Sequence, residues 1–80
     1  MALNNLALAY AVTGDFERAR LQFEAENNRA FAAYNMGIVY MAAQQFERAA
    51  VEFRTAWRAN PSMGIAVERL RQATARLGTD

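Results

Sequence analysis

The sequence predicts an all-α fold of five helices, built as two similar helical hairpins and a closing helix. Three observations carry this. Alanine, the strongest helix former, supplies 18 of the 80 residues. Only one proline and four glycines interrupt the chain. A block of residues also recurs 30 positions on, so that Phe16-Glu17-Arg18-Ala19 returns as Phe46-Glu47-Arg48-Ala49.

The same offset aligns Asn5 with Asn35, Tyr10 with Tyr40 and Phe23 with Phe53. It also pairs Leu6 with Met36, Ala7 with Gly37, and Leu21 with Val51. Matches in one shared frame, mostly apolar, mark two copies of one supersecondary unit.

The first helix is predicted from near Ala2 to Thr13. Gly14 offers the left-handed residue that ends a helix, and Asp15 a cap for the next. The second helix runs from Phe16 to Glu26, with Phe16, Ala19 and Phe23 on one face. Asn27-Asn28 forms a stop. The third runs from Ala30 to Ala43 and the fourth from Phe46 to Ala59. Phe46, Ala49, Ala50, Phe53, Ala56 and Trp57 make the fourth helix's apolar stripe, with Trp57 expected as a core plug under the last helix. Asn60-Pro61-Ser62 breaks the chain, because proline disfavours helix before it, and Ser62 is expected to cap the fifth helix. That last helix runs from Met63 or Gly64 to Leu77, with Ala66, Leu70, Ala73 and Leu77 inward and Gly78 as its end.

Composition narrows the function. The chain lacks cysteine and histidine, which excludes disulfides, Cys/His zinc sites and Ser-His-Asp or Cys-based catalysis. Neither a metal cluster nor a glycine-rich phosphate loop is visible. No cofactor is expected, and the chain is not read as an enzyme. The net charge of +1 argues against a nucleic-acid partner. All nine basic residues are arginine. Arginine grips anions with a two-pronged fork; compositional bias is the plainer reading. No apolar run reaches a membrane span. The opening Met1-Ala2-Leu3 carries no basic stretch of a secretory signal, so a cytoplasmic location is expected if the chain is complete. At this length one core stabilises only marginally, so helix stacking, self-association or a larger parent must help.

The repeated residues resemble the tetratricopeptide repeat, a helical hairpin of about 34 residues. In the second copy Met36-Gly37, Tyr40, Phe46, Ala49, Phe53, Ala56 and Pro61 stand at its signature positions. In the first, Leu6, Ala7, Tyr10, Gly14, Asp15, Phe16, Ala19 and Phe23 do so. The resemblance implies a right-handed superhelical stack of two antiparallel hairpins plus a C-terminal capping helix, an α-solenoid. Repeat one would span about 1–29, repeat two 30–61, and the capping helix 62–78, within a single domain 1–80. Two features depart from the family. The spacing is four residues short, with Glu26 where an alanine is expected, so the second helix should lack about one turn. The third-to-fourth turn must also form on Gln44-Gln45 without glycine.

The resemblance further implies a concave groove lined by the first helix of each unit, a surface that binds peptides in many repeat proteins. Its positions map to Asn4, Asn5, Leu8 and Val12, then to Phe31, Tyr34, Asn35, Ile38 and Met41. In the last helix they map to Ile65, Glu68, Arg69 and Gln72. Asn5 and Asn35 would hydrogen-bond a peptide backbone or a neighbouring helix. Only Arg69 matches the basic carboxylate-gripping positions of the family's co-chaperones, so that activity is not expected.

Phe31, Tyr34, Ile38 and Met41 add a second apolar stripe to a helix whose packing face already holds Ala33, Met36, Gly37 and Tyr40. A helix apolar on nearly every side demands cover on nearly every side. The cover is a partner's peptide or helix, another copy of the chain, or the last helix folding back. The expected function is a non-catalytic protein-interaction or scaffold module; the alternative is a self-associating structural module.

Overall fold

The structure, a computed structural model, describes residues 3–78, with side chains from residue 5 onward. Five helices account for nearly all of it: α1 (Leu3–Thr13), α2 (Phe16–Glu26), α3 (Arg29–Ala42), α4 (Phe46–Ala59) and α5 (Gly64–Arg76). Among the described residues there is no strand. The bounds follow the predicted ones within a residue or so; Ala2 lies outside the described residues.

Local chemistry explains most boundaries. Gly14 adopts φ 71° at the end of α1, and the Asp15 carboxylate accepts the Arg18 N–H at 3.4 Å to open α2. Asn27 and Asn28 divide the next junction. Asn27 Nδ2 donates to the Phe23 carbonyl at 2.9 Å, while Asn28 Oδ1 accepts the Phe31 N–H at 2.9 Å. Gln44 is forced to φ 61°, the left-handed region that glycine occupies freely. Ser62 does not cap α5. Its hydroxyl donates to Asn60 Oδ1 at 2.7 Å, and Met63 takes the N-cap position without a side-chain hydrogen bond. The helix starts one residue later than that cap requires, so Ser62 lies in the Pro61 turn, outside the cap position. Gly78, at φ 72°, comes after the last helix.

Helix α3 is the centre of the molecule and packs on α1, α2 and α4, while α5 packs on α4. Its buried face holds Ala30, Ala32, Ala33, Met36, Gly37, Val39 and Tyr40. Ala7, Ala19, Phe23, Ala49 and Phe53 close over that face in one cluster. A second, smaller cluster of Ala30, Ala33, Ala56, Met63 and Ala66 seats α5. The two hairpins differ. α3 and α4 meet along their length, whereas α1 and α2 approach only sparsely and are joined by the Tyr10–Phe23 edge contact at 6.1 Å and by the Tyr10 hydroxyl donating to Gln22.

Two expected core side chains lie outside it. Trp57 is 40% exposed, and the cluster that seats α5 is built from Ala56, Met63 and Ala66 without it. Leu77 is exposed at the C-cap, one residue past the last helical turn.

Candidate functional site

The groove positions fall on α1, α3 and α5. α1 rests on α3, and α5 reaches α3 through Arg69, whose Nε donates to the Tyr34 hydroxyl at 3.4 Å. Arg69 is also held by Gln72 Oε1 at 3.0 Å. Tyr34 thus has a polar tip tied to α5, while its ring lies 5.6 Å from that of Phe53.

The second stripe of α3 is covered in part. Tyr34, Ile38 and Met41 are half-buried against the core, and Phe31 stays 46% exposed. Around them Leu8 is 54%, Val12 78% and Ile65 46% exposed. The last helix covers the stripe only in part: Ala66, Leu70 and Ala73 share clusters with Tyr34, Ile38 and Met41, and Phe31 stays open. Asn5 is exposed and Asn35 half-buried, and neither side chain makes a hydrogen bond among the described residues. The Asn4 side chain lies outside the described residues. Glu68 is exposed and pairs with Arg71 at 3.7 Å.

A second region, missed in the sequence, lies on the opposite face of α3. The Arg20 guanidinium of α2 hydrogen-bonds the Glu52 carboxylate of α4 and lies 3.8 Å from Glu24. Burial works against the charge on Arg20. The hydrogen bond and charge of Glu52, with a smaller contribution from Tyr40, more than offset it and raise its pKa above the ordinary arginine value. Beside this pair is a cleft of about 590 Å³ over Ala32 and Ala33. The shortened repeat spacing was the signal that could have located it.

Among the described residues no group of three or more Asp, Glu, His or Cys is placed to hold a metal ion. Among the described residues no helix is long and apolar enough to cross a membrane. The known protein-family models, the curated proteins and the solved structures contain no match to this chain.

Proposed function

We propose that the chain is a tetratricopeptide-type helical stack, right-handed in sense, that works as a non-catalytic protein-interaction module. The ligand is a peptide or helix laid across α1, α3 and α5. One observation supports this most: of the groove positions Leu8, Phe31, Ile38 and Ile65, three side chains remain open to solvent. Apolar side chains grouped on one face of a small domain mark an interaction site. The unengaged amides of Asn5 and Asn35 on the same helices supply a donor and an acceptor for a backbone.

A self-associating module is the second reading, since the same open side chains would serve two copies of the chain. Replacing Phe31 and Ile65 with glutamine tests both readings, because both side chains are exposed and the helices should survive. Capture of a partner should be lost while helical circular dichroism is unchanged; capture that survives removes the groove reading. Sedimentation equilibrium into the hundreds of micromolar separates the two readings. A concentration-dependent mass that the double variant abolishes identifies self-association, and a strict monomer excludes it.

A further inference from the structure

The shortened repeat leaves its mark on the face of α3 opposite Phe31, Ile38 and Met41. α2 has 11 residues and α4 has 14, so α2 stops about one turn before its counterpart. The cleft of about 590 Å³ opens there, between the end of α2 and α4, with Ala32 and Ala33 as its floor. Past Arg29 it continues into a shallower space of about 290 Å³ bounded by Thr55, Arg58 and Ala59.

Charge distinguishes the two ends. The carboxylates of Glu24 and Glu52 both lie beside Arg20 and are engaged by it. Arg29 and Arg58 have no carboxylate partner among the described residues, and the first turn of α3 carries no acidic residue. Arg20 is one cation shared by two carboxylates, so the larger space is neutral over its lining; the positive charge is local to its far end, where Arg29 and Arg58 stand together. The larger space exceeds what a bare anion needs and lies in the range that holds small organic groups. Its wall also offers peptide-binding capacity: Asn27 spends Nδ2 on the Phe23 carbonyl, which leaves Oδ1 free to accept an N–H.

We propose that this cleft is a second binding site, separate from the groove, and that it takes an acidic peptide segment. The carboxylate sits against the guanidinium groups of Arg29 and Arg58, whose planar donors match its two oxygens. The aliphatic stem lies over Ala32 and Ala33.

Isotope-edited NMR of the whole chain provides the test, with acetyl-Glu-Leu-Glu-amide as the probe. Saturable shifts are expected at the amides of residues 28–33 and 55–59. Acetyl-Gln-Leu-Gln-amide should bind at least ten-fold more weakly. Arg29→Glu combined with Arg58→Glu should abolish the shifts. Both side chains are exposed; an acid suits the first turn of α3 and opposes the dipole in the last turn of α4, so circular dichroism is recorded to show that the helices persist, and Arg29→Gln with Arg58→Gln, which adds no acid, should also abolish the shifts. The Phe31 and Ile65 glutamine variant should bind the probe as the native chain does, which separates this site from the groove. No saturable shift, equal binding of the glutamine peptide, or shifts on the groove residues instead would overturn the proposal. So would identical shifts with inorganic phosphate at the same concentration, which would mark an adventitious anion site.

Discussion

The ring of Phe53 lies directly over the bare Cα of Gly37: a β-carbon built there would come within 2.5 Å of its Cε1. This contact lets α3 and α4 pack along their length. In the first copy the same two positions hold Ala7 and Phe23, both buried, and α1 and α2 approach far less closely. One methyl group thus accompanies the difference between a tight hairpin and an open one. Gly37→Ala should destabilise the protein by a net of about 1–2 kcal/mol. Overpacking costs about 1–3 kcal/mol, and alanine's helix preference returns up to about 1 kcal/mol. Urea unfolding measures it, and Phe53→Leu in the same chain should recover part of the loss. An unchanged midpoint would show that the ring can move aside.

Gln44 holds a positive φ with a full side chain, where Gly14 occupies the equivalent place in the first copy. Gln44→Gly should stabilise the protein by about 0.5–1 kcal/mol, since the relief of left-handed strain exceeds glycine's added entropy in the unfolded chain. The reverse exchange, Gly14→Gln, should cost a similar amount. Thermal melts of both variants check the pair, and a Gln44→Gly chain that melts lower would refute the strain.

Arg20 and Glu52 join α2 to α4 across the cleft, with the Glu52 side chain mostly shielded and Arg20 half-exposed. A double-mutant cycle with Arg20→Met and Glu52→Gln should give a coupling of about 1 kcal/mol. That is below the range for a buried charged hydrogen bond, because solvent screens the open side of the arginine. Raised salt should reduce it. The pH dependence has a defined sign. Arg20's pKa is raised on folding, so its contribution is full below the unfolded arginine value and lost only as pH climbs through the folded one. Both lie far into the alkaline range, so melting temperature should be flat from about pH 6 to 8 with respect to this pair. A coupling that vanishes within that window would remove arginine as its source.

The helices were legible because their signals are local. Apolar residues at helical spacing, Gly14, Asp15, the Asn27-Asn28 pair and Pro61 act within a few positions of chain. The register between copies was legible too, since it needs only self-comparison. Ser62, Trp57 and Leu77 were misplaced for one shared reason. Each sits near a helix end, where a boundary that moves by a single residue changes which way a side chain faces. Ser62 falls one residue before the N-cap Met63, and Leu77 is itself the C-cap of α5.

Periodicity, caps and the recurring block were enough to specify five helices, their ends and a missing turn in α2, because each depends on contacts along a single helix or its neighbour in sequence. Three matters needed helices from distant parts of the chain to meet. These are how far α5 covers α3, the meeting of Arg20 with Glu52, and the cleft over Ala32 and Ala33. The physical reason is steric. A β-carbon at one crossing, or a turn absent from one helix, moves whole elements by ångströms, and that displacement sets which side chains are sealed and which face water.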